Sequence, residues 1–239
     1  MAHEVPNPVP GSWSDAMTHR PQLVLDAASA RGQALRAPAD RPQQRRSAQP
    51  RTSAPSVSAR AKITVEPTAD TLTFVGYASI TGTGYEMWDA YGPYTEVVSS
   101  GAFAASLART DLDVPLVLQH QDIRRIARTT LGTLTLAEDD QGLLVTARLD
   151  PADPDVAYIV PKLRSGLVDE MSFRFHITAG SWSPDWTEYH IEAADIHRGD
   201  TAIVGYGANP ATAGAGLRSQ APTKAPVFIS ETEIRARIL

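Results

Sequence analysis

The sequence predicts an α+β fold, a mainly antiparallel, β-barrel-like core with a few flanking helices, and three observations point to it. Segments of period two, rich in Val, Thr, Phe and Tyr, recur between residues 62 and 206. Clusters of Gly, Pro and Asp separate them. Only two or three stretches carry helix start and stop signals. The body so delimited, residues 62–212, is long enough to enclose a hydrophobic core. The flanks read differently: residues 1–61 as a disordered basic arm rich in Pro and Arg, and residues 213–239 as a flexible tail with a short helix at Glu231–Leu239.

The elements follow in order. Pro21–Ala30 has helix-forming composition but no neighbouring partner face, and Arg31–Arg60 has almost no large apolar residue with which to offset the cost of ordering its backbone. Lys62–Glu66 and Thr71–Ser79 alternate as strands, with Leu72, Phe74, Gly76 and Ala78 on one face. Ser99 or Ser100 is placed to cap a short helix in Gly101–Arg109, because a hydroxyl accepts an orphan amide hydrogen at a helix start. Val114–His120 is a buried strand. Leu131–Leu136 and Leu143–Leu149 form a hairpin around Glu138–Gly142. Pro151–Gly166 is a helix with Pro154 in its first turn, Gly166 at its end and a disruptive Pro161 inside. Strands at Glu170–Ile177, Thr187–Asp195 and Thr201–Tyr206 complete the body.

Composition excludes several classes. The 239 residues contain no cysteine, which removes disulfide frameworks, thiolate metal sites and a cysteine nucleophile. No uncharged apolar run approaches the ~20 residues of a spanning helix, and the N-terminus lacks the pattern of a secretory signal, so a cytoplasmic protein without membrane attachment is expected. The net charge of -5 hides an asymmetry: residues 1–60 hold eight arginines, no lysine and four acids, so the acidic balance belongs to the body. Those arginines could neutralise phosphates. They are scattered, however, and Trp13 is the only aromatic among them, so nucleic acid is not an expected partner.

Three groups could carry chemistry. His120 ends an apolar strand, where an imidazole suits a general base; a surface or hydrogen-bonded core histidine is the competing reading. Ser172 shares a strand face with Arg174 and His176, while Met171, Phe173 and Phe175 share the other; a serine needs a nearby base before it is a nucleophile. Asp195 and Asp200 could each orient an imidazole, with His197 competing for that role, or be solvated charges at a strand end. Asp139 and Asp140 are explained by a hairpin tip, Gly82–Met87 lacks the further residues of a phosphate loop, and the six histidines show no metal-ligand spacing.

Five blocks, in order over residues 72–210, resemble the prohead (capsid maturation) serine proteases of tailed bacteriophages, a family similar in fold to the herpesvirus assemblins. They are Phe74-Val-Gly-Tyr-Ala-Ser79; Glu96-Val-Val-Ser-Ser-Gly-Ala-Phe103 running on to Ser106-Leu107; Leu116-Val-Leu-Gln-His120 followed by Gly132 and Gly142-Leu143; Gly166-Leu-Val-Asp-Glu-Met-Ser172-Phe173; and Ala208-Asn-Pro210. Ser100 stands where the family usually has Pro, and Gly207 replaces the first Pro of its closing block. The resemblance implies His120 as base, Ser172 as nucleophile and Asp200 as third member, with Asp195 as the alternative. It implies no cofactor and no metal. Implied substrates and partners are the major capsid protein with its scaffold or delta segment and the chain itself, and a homo-oligomer is compatible with it. The implied setting is the host bacterial cytoplasm, inside immature proheads. His197-Arg-Gly199, in the middle of the family's acidic strand, supports a second reading, a structural or scaffolding protein of capsid assembly whose site has decayed. Arg174 is a candidate to face the developing oxyanion, with an ion pair as the alternative.

Overall fold

A computed structural model describes residues 13–43, 46–47, 72–207 and 216–217, with side chains described for 22–43 and 72–207. The strand expected at Lys62–Glu66, the Ala208–Pro210 block and the terminal helix at Glu231–Leu239 lie outside the described residues.

The elements are α1 (Trp13–Ala34), β1 (Arg46–Ser47), β2 (Leu72–Ile80), β3 (Tyr85–Trp88), β4 (Pro93–Val98), α2 (Ala104–Leu107), β5 (Pro115–Leu118), β6 (Arg125–Arg128), β7 (Leu134–Glu138), β8 (Gly142–Leu149), α3 (Pro154–Ser165), β9 (Glu170–Trp182), β10 (Glu188–Val204) and β11 (Gly216–Leu217). They form two sheets. One runs β1-β3-β4-β10-β5-β6 with β9 added along β10, and the other runs β11-β2-β8-β7. The fold is therefore α+β as expected, with two sheets around a common core in place of a closed barrel. Phe74, Phe103, Leu116, Leu118, Leu143, Leu149, Met171, Ile191, Ile196 and Ile203 fill that core.

Long β10 organises the larger sheet. Its first half runs parallel to β4 (Glu188–Ile191 beside Thr95–Val98), its second half runs parallel to β5 (Thr201–Ile203 beside Leu116–Leu118), and its other side pairs antiparallel with β9. The two strands read separately from the sequence, Thr187–Asp195 and Thr201–Tyr206, are thus halves of one strand. Between them the ladder is interrupted: Asp195 faces His176 and Asp200 faces Arg174, so Ile196–Gly199 bulge out opposite Phe175. Gly199 is required there, since a Cβ would lie 1.8 Å from the Arg174 carbonyl oxygen. Arg198 takes φ 59° in the same bulge.

The helices follow their sequence signals unevenly. Asp153 caps α3 by accepting from the Asp155 and Val156 amides, Pro154 opens the helix, and Gly166 closes it at φ 70°. Val156, Ile159, Val160 and Leu163 form its buried stripe. The helix continues through Pro161, which leaves the Ala157 carbonyl without its helical donor. The expected serine cap of α2 is corrected: no side chain caps it at Phe103. Instead the Glu138 carboxylate, from the β7–β8 hairpin, accepts from the amides of Gly101 (2.8 Å) and Phe103 (3.2 Å). The hairpin itself is as expected. Asp139 Oδ1 accepts from the Gln141 and Gly142 amides, and Gly142 at φ 149° lies so close to Ser79 that a Cβ would sit 2.1 Å from its carbonyl oxygen.

The disordered arm expected over 1–61 needs correction where the chain is described. Residues 13–34 are helical, Ala27, Ala28 and Arg31 are buried, and the strap after the helix bonds to β9 through Pro38 and Asp40. Leu23 and Leu25, the two leucines of the Pro21–Ala30 stretch, are exposed at 51% and 57%. The buried side is made of alanines and one arginine, a composition that does not read as a core.

Candidate active site

The β9–β10–β5 ladder gathers the candidates on one sheet face. Ser172 pairs with Ala202, and Arg174 with Asp200, while Ala202 also pairs with Val117 of β5. Paired residues share a face and alternate residues return to it, so Ser172, Arg174, Asp200, Ala202 and Val117 lie together. Val117, Ala202 and Val204 form a small apolar cluster of their own there, apart from the main core. On the opposite face Met171, Phe173 and Phe175 pack into that core, with Phe173 edge-on to Phe103 at 5.5 Å and stacked on Phe175 at 4.2 Å. The alternation expected around Ser172 is thus observed.

His120 is not in a strand. β5 ends at Leu118, and Gln119 and His120 both adopt left-handed backbone, φ 52° and 55°, which costs free energy at non-glycine residues. The turn is tied down from several sides. Gln119 N–H donates to Ile203 O at 2.9 Å, Gln121 N–H to Leu118 O at 3.0 Å, and Leu118 N–H to Arg124 O at 3.1 Å. Arg174 adds two bonds, from Nη2 to His120 O and from Nη1 to Asp122 Oδ1, both 2.9 Å.

The imidazole then meets Asp200, with Nδ1 2.7 Å from Oδ1. The Asp200 side chain is 2% exposed and that of His120 30%. A carboxylate can only accept, so in the neutral ring the proton sits on Nδ1 and the lone pair on Nε2. Asp200 Oδ2 is buried without a hydrogen bond, and Arg174 Nη1 lies 3.5 Å from it, close enough to offset its charge.

Asp195 is engaged elsewhere. Its Oδ1 accepts from Ser106 Oγ (2.9 Å) and from the His197 amide (2.9 Å), and Ser106 Oγ in turn accepts from the Ile196 amide (3.0 Å). These bonds fasten α2 to β10. The His197 amide bond holds the Asp195 carboxyl below its ordinary range, aided by the Ser106 hydroxyl and opposed by burial. The Ser172 hydroxyl makes no hydrogen bond with the imidazole in this structure. Catalytic hydrogen bonds often tighten only once substrate is bound, so that geometry leaves the serine available.

Sequence reasoning did not foresee the role of Asp122 or the strained turn. No residue-level signal marks either, because both depend on the placement of Arg174 two strands away. Arg174, the oxyanion candidate, is instead in ion pairs. Among the described residues no three His, Asp or Glu side chains come together as a metal site, and no helix is long and apolar enough to cross a membrane.

Residues 59–225 match the family model described as caudovirus prohead serine protease. No curated protein matches the chain.

Proposed function

Because the chain belongs to the caudovirus prohead serine protease family, we propose that it is a capsid maturation endopeptidase in which His120 and Ser172 act as base and nucleophile. The observation that carries the reading is the 2.7 Å bond from His120 Nδ1 to buried Asp200, a residue of the face that also carries Ser172, which leaves Nε2 as the basic nitrogen of the ring.

In this mechanism Nε2 removes the proton from Ser172 Oγ as the oxygen adds to the scissile carbonyl carbon. The Asp200 carboxylate stabilises the imidazolium so formed and holds the ring tautomer. The protonated imidazole then gives its proton to the leaving amine, an acyl-enzyme remains on Ser172, and water activated by the same Nε2 hydrolyses it. Donors for the tetrahedral oxygen are needed as well, each worth roughly 2.7–4 kcal/mol. The substrates in this reading are the scaffold or delta segment of the major capsid protein and the chain's own flanks, cut inside the immature prohead.

The test is co-expression of the capsid protein with the wild-type chain and with Ser172→Ala, read by intact mass. Processing of the capsid protein and truncation of the protease in the wild type alone are expected. Unchanged processing with Ser172→Ala would overturn the assignment of this serine. No processing by the wild type would favour the structural or scaffolding reading, with which the unbonded Ser172 hydroxyl is also compatible.

A further inference from the structure

Helix α1 lies ahead of the family match at 59–225, yet one of its side chains sits inside the matched body. Arg31 is 0% exposed. Its Nε and Nη2 form a fork with the two Asp89 oxygens at 2.7 and 3.0 Å. Nη2 also donates to the carbonyls of Gly92 (2.7 Å) and Pro93 (2.9 Å), and Nη1 donates to that of Trp186 (3.2 Å). The guanidinium carbon stands 5.1 Å from the Tyr94 ring centre and 5.0 Å from that of Trp182.

The receiving groups are of one chemical kind. A carboxylate, three carbonyls and two ring faces offer only negative charge and acceptors, arranged for a planar fork of N–H donors. Lysine has no such fork. The carboxylate is oriented independently of the arginine, because Asp89 Oδ1 also accepts from the Tyr91 and Gly92 amides of its own turn. The approach is close: a Cβ at Gly92 would meet the Ala27 Cβ at 2.9 Å, and one at Gly32 would meet the Trp186 ring at 3.0 Å. Beyond the helix, Pro38 O accepts from the Trp182 amide (2.8 Å), Asp40 O accepts from Trp182 Nε1 (2.7 Å), and Arg41 Nη2 donates to Thr178 O (3.0 Å).

We propose that Asp89, Tyr94, Trp182 and the carbonyls of Gly92, Pro93 and Trp186 form a guanidinium-binding site whose ligand is Arg31 of the same chain, and that this side chain latches residues 22–43 onto the body. The latch does not depend on the catalytic reading, since Trp182 lies ten residues along β9 from Ser172. A backbone cut between residues 44 and 71 would leave α1 attached.

The full-length chain tests this. Removing one partner of a buried ion pair leaves the other uncompensated, so Arg31→Ala lowers Tm by roughly 6–12 °C. Methylguanidinium at low millimolar concentration raises the Tm of Arg31→Ala saturably, and does not raise that of the wild type or of Arg31→Ala/Asp89→Asn. Arg31→Lys melts below the wild type. An unchanged Tm for Arg31→Ala, or the same response to methylguanidinium in the single and double variants, would overturn the proposal. A wild-type Tm that rises with protein concentration would place a second copy's arginine in the site and overturn the same-chain assignment. Where Arg31→Ala does not fold, hydrogen exchange on the wild type decides. The amides of residues 25–35 are expected to exchange as slowly as those of Tyr189–Ile191, and exchange at free-peptide rates would overturn the latch.

Discussion

Arg174 stands opposite Asp200 in the β9–β10 ladder, and its guanidinium also bonds the backbone carbonyl of His120 at 2.9 Å. One side chain thus ties together the buried carboxylate and the turn that carries the imidazole. Its role in the proposed mechanism is positioning, not contact with the reacting atoms. Arg174→Ala is expected to lower kcat by up to about 10²-fold with KM and Tm little changed, since the turn at Gln119 and His120 loses a restraint. Arg174→Lys should recover part of that loss. Equal falls in Tm and activity would show a merely structural role.

Asp200 and Asp195 separate by what they lose. Asp200→Asn leaves the imidazole free to take the wrong tautomer, and a fall in kcat of roughly 10³–10⁴-fold is expected, with the fold retained. Asp195→Ala removes the acceptor of the bonds from Ser106 and His197 and should lower stability while leaving the His120–Asp200 pair in place. Peptide cleavage assays beside thermal melts check both. Loss of activity with Asp195→Ala at unchanged Tm would exchange the two roles.

The Asp195 carboxyl also sets a pH dependence. Its folded-state value is depressed, so its contribution to stability is present above the unfolded value of about 3.9 and is lost as pH falls through the lower folded value. The wild type should therefore melt above Asp195→Asn at neutral pH, and the gap should close below about pH 4. Melts of the pair across that range measure it.

Gly199 lets β10 bulge past the Arg174 carbonyl before Asp200. Gly199→Ala has no room for its methyl. It is expected to cost more than about 1 kcal/mol in chemical denaturation and to reduce cleavage by displacing Asp200 from His120. An alanine variant of wild-type stability and activity would mean that the bulge is not needed to place the acid.

The start of α2 offers a test away from the site. Glu138→Ala removes the acceptor for the Gly101 and Phe103 amides and should cost about 1 kcal/mol, as loss of a helix cap does. Ser99→Ala and Ser100→Ala should be near neutral by the same denaturation measurement, because neither hydroxyl caps the helix.

Much of the body was legible in the sequence because its signals are local. The hairpin around Asp139 and Gly142, the caps of α3 at Asp153 and Gly166, and the alternation that separates Ser172 from Met171 and Phe173 each depend on neighbours within a few residues. The order of five motif blocks carried the family, and residues 59–225 match it.

Other features had no local signal. Residues 195 and 200 are five apart and would lie on opposite faces of a regular strand, and only the bulge against Phe175 returns Asp200 to the face of Arg174 and Ser172. A carboxylate 37 residues along the chain satisfies the start of α2. Arg31 reads as one of eight scattered arginines in a polar arm, and its burial depends on Asp89, Tyr94, Trp182 and Trp186, which only the fold brings together. By itself the sequence determined strand alternation, turn chemistry and which side chains are candidates for the site, because side-chain type and backbone preference act over short range. Which acid reaches His120, what holds its turn, and how much of the N-terminal arm belongs to the body were decided by the tertiary structure, because hydrogen bonds and charge pairs between distant segments form only where the fold brings their atoms within about 3 Å.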